Sequence, residues 1–319
     1  MKTMINKSHI EGLLYEHDLK LKVTGPNSKN PGTQYISGTI SIATDNDCVN
    51  IIEVHFTYVT PITAKGKTNT TFNILQDIVN GKIGTIMGNG KENAGKISVD
   101  SAINLNEFPN KNKPDEFISV RRNEGGFVNL VSALNEDEKV RNTFECDMII
   151  TNVSRIEADE EKNLPEKVTV RGAIFDFKKA LLPVEFTVLN TNGMDYFEGL
   201  GATPNEPIFT NVRGRQISQT IVKKIVEESA FGDDMVKEVK NTRKDFVITG
   251  SRKEVYNWND ESTITADELK NAMAERETYL ATLKKNREEY EASKAKSAAA
   301  TAVSPTNDFT APTVGGFKF

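Results

Sequence analysis

The chain has 319 residues, 40 Lys/Arg against 45 Asp/Glu for a formal net charge of −5, and only two cysteines. Its length suits two domains of roughly 100–150 residues plus extras, each able to bury its own core without disulfides. An acidic excess in each of residues 1–140, 141–255 and 256–319 excludes a basic domain, so any nucleic-acid footprint must be local.

The first predicted strand is 19–23, where apolar and polar residues alternate. Turn signals at Gly25-Pro26-Asn27 and Asn30-Pro31-Gly32 lead into a strand over 35–42, with Ile36, Gly38, Ile40 and Ile42 on one face. Strand 51–59 follows a polar loop. Lys65-Gly66-Lys67 reads as a mobile loop, and 71–79 has helical spacing. Ile97 and Val99 begin another strand. Strand 117–121, a turn over 123–126 and strand 127–131 close the first half, and the charged stretch 135–141 marks a boundary.

The second half offers strands 148–153, 168–177 and 182–189, with an acidic loop over 157–166. A short helical segment follows on Met194, Phe197 and Leu200. Residues 217–228 fit either a helix or a strand, because Ile221, Val222, Ile225 and Val226 are helically spaced yet β-branched. Thr265 and Glu268 form a capping box. It opens an amphipathic helix carrying Leu269, Met273, Leu280, Leu283 and Tyr290 and ending near Lys296. The tail 297–319 has a disordered composition and ends on Phe317 and Phe319.

The halves echo one another. Residues 36–40 and 51–59 read like 170–174 and 181–189, with Gly38 matching Gly172. Residues 95–98 read like 214–218, and 116–122 like 245–252. Strand glycines of this kind mark sharp bends at barrel corners. The expected fold is mainly β: two tandem OB-like five-stranded barrels, each with a short helix, then a long C-terminal α-helix and a disordered tail. The domains are expected at 1–140 and 141–255, with linker and helix at 256–296.

Catalytic motifs are absent. His9, His17 and His55 fit no triad or metal spacing, Cys48 and Cys146 lack CxxC partners, and no phosphate loop, dinucleotide fingerprint or GxSxG elbow occurs. The acidic run 157–161 reads as a solvated loop rather than a calcium cage. A non-enzyme with no cofactor and no metal is expected. The cysteine usage and the lack of a signal-peptide core in residues 1–15 suit a reducing cytoplasm, and no apolar run nears the ~20 residues of a membrane span.

In this order of five strands, with a helix between the third and fourth, the chain resembles the single-stranded-DNA-binding proteins of bacteriophages and bacteria. The resemblance covers roughly residues 10–255 and rests on element order and length. It implies sequence-independent binding of single-stranded DNA during replication or recombination, in the cytoplasm of a bacterial host. Such binding needs cations for phosphates and aromatic faces for bases. Tyr35 in the first half, and Arg171, Phe175 and Phe177 in the second, are the candidate platforms, with Lys178 and Lys179 in the adjoining turn. Phosphate candidates are Lys65 and Lys67, Arg121 and Arg122 beside Gly125-Gly126-Phe127, and Arg213 and Arg215 around Gly214. The resemblance also implies a tail that docks on replication proteins, here through Phe317 and Phe319, although the acidic run usual before such an end is missing. The long helix is a candidate for homo-oligomer contacts. The alternative is a structural or assembly protein, a virion or tail component whose β-domains make protein contacts. A third reading is a nuclease or polymerase accessory factor that binds a protein through Phe317 and Phe319.

Overall fold

The structure is a computed structural model that describes residues 4–110, 113, 116–158, 165–227, 231, 235–258 and 264–302. The first half runs β1 (Asn6–His17), β2 (Lys20–Val23), β3 (Gln34–Ala43), β4 (Ile51–Val59), α1 (Thr70–Val79), α2 (Ile86–Asn89), β5 (Lys96–Pro109) and β6 (Phe117–Leu130). The second runs β7 (Asn142–Ile156), β8 (Lys167–Phe175), β9 (Leu181–Val188), α3 (Thr191–Gly199), β10 (Ile208–Glu227) and β11 (Met235–Ser251), followed by α4 (Ala266–Ala302).

Each half closes on itself. β1 pairs antiparallel with β3, β3 with β4, β4 in parallel with β6, β6 antiparallel with β5, and β5 returns to β1. The second circuit has the same order: β7, β8, β9, then β11 in parallel, β10, and back to β7. This closed five-stranded order is that of the OB-fold, whose ligand face lies on its second and third strands. The echoed segments 36–40 and 51–59, 95–98 and 116–122 fall on strands equivalent to those holding their counterparts.

Alternation fills each barrel. Ile10, Leu14, Ile36, Ile40, Val54 and Phe56 pack in the first, and α1 plugs one end with Phe72, Leu75 and Ile78, spaced to share a helix face. Met148, Ile150, Val170, Ile174 and Phe186 fill the second under Met194 and Phe197 of α3. Asn190 caps α3 by accepting from the Gly193 amide at 2.6 Å. Cys146 is fully buried, and burial pushes its thiol far above the ordinary range.

Three local expectations are corrected and one open reading is resolved. β1 was not read as a strand, yet it opens the first barrel; β2 lies in the loop between its first two strands. Residues 123–126 are no turn but an irregularity inside β6, where pairing with β5 shifts between Asp100 and Ala102. Residues 217–227 are strand, because β11 pairs with them along their length. Helix α4 continues to Ala302, past the end expected near Lys296; residues 303–319 lie outside the described ones. Among the described residues, no helix is long and apolar enough to cross a membrane.

The barrels are welded. β1 pairs antiparallel with β7 from Asn6↔Cys146 to Ile10↔Asn142, which joins both circuits into one 11-stranded sheet. Beside this pairing Gln216 of β10, 2% exposed, reaches into the first barrel. Its side-chain amide donates to the Ser8 hydroxyl and to Asn123 Oδ1 (3.1 Å), and accepts from Asn123 Nδ2 (2.8 Å). Its backbone carbonyl accepts from Asn142 (2.9 Å) and Asn50 (3.3 Å). A buried network so fully paired is costly to break, since each orphaned group carries its whole desolvation penalty. Gln216→Leu is expected to lower stability by about 2 kcal/mol; a denaturant midpoint shift checks it.

Candidate nucleic-acid interface

The second and third strands of the first circuit, β3 and β4, end in an aromatic pair. Tyr35 and Tyr58 lie with ring centroids 4.6 Å apart and planes tilted by 39°. Lys22 of β2 is the register partner of Tyr35, and Lys20 and Lys22 are exposed. Lys65 and Lys67 are exposed in the loop after β4. That loop folds into a hydrogen-bonded turn: Thr63 donates to the Lys67 carbonyl at 2.8 Å and Gly66 to the Thr63 carbonyl at 2.9 Å. No carboxylate pairs with these four lysines among the described residues. Further along the face, His55 shares a hydrogen bond with Thr39 at 3.2 Å. Burial, with Arg122 adding to it, holds the His55 imidazole below its ordinary pKa, which keeps it neutral near pH 7.

The matching face of the second barrel differs. Arg171 is spent on its register partner Glu185, at 2.6 Å. Phe175 is 1% exposed and packs with Ile149, Ala173, Leu181, Phe209, Ile264 and Ala272. The expected platform of Arg171, Phe175 and Phe177 therefore does not exist as such: the start of α4 and the residues before it cover the face that strand alternation leaves bare. Trp258 belongs to this cover as a packing anchor, 5.7 Å from Phe209 and donating to the Pro207 carbonyl at 3.2 Å. Phe177 stays out, 86% exposed, with the Lys178 ammonium 5.4 Å from its ring centroid, and Arg171 keeps a half-exposed side chain despite its pairing. Lys179 takes φ 69° to complete that turn.

Arg121 and Arg122 sit between the barrels. The Arg121 guanidinium lies 5.1 Å from the Phe246 ring and 5.8 Å from that of Phe186, and burial lowers its pKa. Arg122 pairs with Glu124 at 3.1 Å. Both line a cleft of about 450 Å³ that also contains Glu53, Lys244 and Asp245. With Glu53 and Asp245 there, and Arg121 committed to aromatic rings, these arginines brace the junction. Arg122 and Lys178 also border a mixed-charge cleft of about 540 Å³ beneath α4, with Glu107, Asp176 and Glu275.

A different cleft, of about 1010 Å³, lies over the β1–β7 weld and gathers Phe127, Arg213 and Arg215. Lys7 and Lys139 join them, against Asp100 and Glu145. Phe127 is 72% exposed. A bulge turns it outward: Gly125 and Gly126 take φ 66° and 106°, and a Cβ on Gly126 would sit 2.0 Å from the Asp100 carbonyl oxygen. The sequence missed Lys7 because β1 was not read, and Lys139 because it sits in the boundary segment. Tyr58 was also missed, although its place near the end of an alternating strand was a usable signal. Phe317 and Phe319 lie outside the described residues. Among those described, no group of three or more His, Cys, Asp or Glu is placed to hold a metal ion.

No curated protein matches the chain. Among solved structures it is similar to a deletion variant of the single-stranded DNA binding protein from Thermus aquaticus, at 9% identity over 82% of this chain and 100% of that one, with a TM-score of 0.45. The YorF family matches residues 5–286, from the strand that opens the first barrel to well within the long helix, and the chain belongs to that family.

Proposed function

We propose that the protein binds single-stranded DNA without regard to sequence, as a non-enzymatic factor of phage DNA replication or recombination, with its barrels at 1–140 and 141–255 as the binding units. The observation that carries this is the Tyr35–Tyr58 end of the β3–β4 face, where Lys22 is the register partner of Tyr35 and Lys20, Lys65 and Lys67 are exposed on β2 and the loop after β4. Unpaired bases stack on exposed rings whatever their identity, while unpaired cations track the phosphates. A duplex keeps its bases stacked inside and cannot use the tyrosines. Local cations also reconcile such binding with a net charge of −5.

Fluorescence anisotropy with labelled oligo-dT and a matched duplex tests this. The single strand is expected to bind well ahead of the duplex. Replacing both tyrosines (Tyr35→Ala with Tyr58→Ala) is expected to weaken it by roughly 5- to 150-fold, the equivalent of about 1–3 kcal/mol for one lost stack. Equal affinity for duplex and single strand would refute the proposal.

A further inference from the structure

We propose that the weld between the barrels is itself a single-strand-binding site, one that neither barrel contains alone. This rests on the reading of the protein as a single-strand binder and names where else the strand is held.

Pairing register carries the inference. Across five adjacent strands the partners run Phe127 of β6, Asp100 of β5, His9 of β1, Thr143 of β7 and Arg215 of β10. A neighbouring row on the same side runs Lys7, Glu145 and Arg213. Strands lie about 4.8 Å apart, so the row from Phe127 to Arg215 spans at most about 19 Å. It crosses from one barrel into the other through the β1–β7 pair, placing an exposed ring at one end and two guanidiniums at the other.

The charges suit a polyanion. Lys7, Lys139 and Arg213 have no carboxylate partner among the described residues, and Arg215 makes only a 3.4 Å contact to Asn142. Of the two acids, Asp100 is engaged by His9 at 2.7 Å, while Glu145 stands between Lys7 and Arg213 in register. The β10 cations are thereby set apart from Arg121, Arg122 and Arg171, which are committed to rings or acids. A base stacks on Phe127, and the following phosphates run across the weld to Arg213 and Arg215.

The test uses the full chain with labelled oligo-dT. Ultraviolet cross-linking followed by peptide mapping is expected to mark the peptide holding Phe127. Phe127→Ala is expected to weaken binding by roughly 5- to 150-fold. Arg213→Gln with Arg215→Gln is expected to flatten the slope of log affinity against log salt by about 1.4, at ~0.7 per lost phosphate contact. All three residues are solvent-accessible enough that circular dichroism should show unchanged folding. If the tyrosine double variant weakens binding while Phe127→Ala and the arginine pair leave affinity and slope unchanged, the weld site is overturned and single-strand binding stands. If the unaltered protein fails to bind oligo-dT at low salt, the underlying reading falls and the weld site with it.

Discussion

Gly172→Ala is expected to be ruinous for the second barrel. A Cβ there would fall 1.9 Å from the Ile149 carbonyl oxygen, 2.8 Å from its carbon and 2.9 Å from the Ile150 Cα. These are backbone atoms of the paired strand β7, at the point where its register with β8 shifts between Ile150 and Asn152. No side chain can swing aside to make room. The strands must part, which opens the core around Ile150, Val170 and Ile174. The expected loss exceeds about 4 kcal/mol, the range reserved for severe core or backbone faults. Gly199→Ala is the control, since nothing lies within 4 Å of a Cβ at that helical position. Alanine should be neutral there or stabilise by up to ~1 kcal/mol. Guanidinium unfolding curves of both variants check the pair; a Gly172→Ala protein within about 1 kcal/mol of the parent would contradict the barrel closure described above.

Arg276→Met is the second large expected loss. Arg276, 14% exposed at its side chain, forks onto Glu107, which is 2% exposed, with contacts of 2.6 and 3.2 Å. It also donates to the Leu181 carbonyl at 3.2 Å. One guanidinium thus ties α4 to β5 of the first barrel and to β9 of the second. Ser119 donates to the same carboxylate at 2.6 Å. Removing the arginine leaves a buried charge without its counterion, a change that costs about 3–5 kcal/mol. Replacing both partners, Arg276→Met with Glu107→Met, should recover most of that loss, because apolar substitutes for a buried pair are often neutral. Thermal melts of the two singles and the double form the cycle. A single variant as stable as the parent would mean that α4 is not held by this pair.

The strand plan was legible because barrel interiors enforce alternation, and it showed plainly on β3, β4, β8 and β9. It failed on β1 for a physical reason: Ser8 and Gly12 alternate with Ile10 and Leu14, and small or polar residues there hide the period. The Gly125-Gly126 pair looked like a turn because its positive φ values are turn values, but here they serve a bulge. The capping box at Thr265 was readable since it is local, and it forms, with Thr265 and Glu268 bonded both ways at 3.0 and 3.2 Å. The helix face was less so. Ala272 and Arg276 anchor α4 while Met273 stays exposed.

The candidate site divides along the same line. Sequence supplies cations and rings but not their partners, and partners decide which of them can meet a ligand. Arg121 and Phe175 are consumed by residues distant in the chain, respectively Phe246 and Ile264, while Arg171, though half exposed, is paired with Glu185 on the adjacent strand. Arg213, Arg215 and Phe127 remain accessible, and only the pairing of β1 with β7 places them on one surface.

The most direct measurement is the affinity for labelled oligo-dT as a function of salt. Two faces rich in unpaired cations predict that log affinity falls linearly with log salt, with a slope steeper than about −2, at ~0.7 for each phosphate neutralised. Binding indifferent to salt, or none even at low salt, would contradict the account.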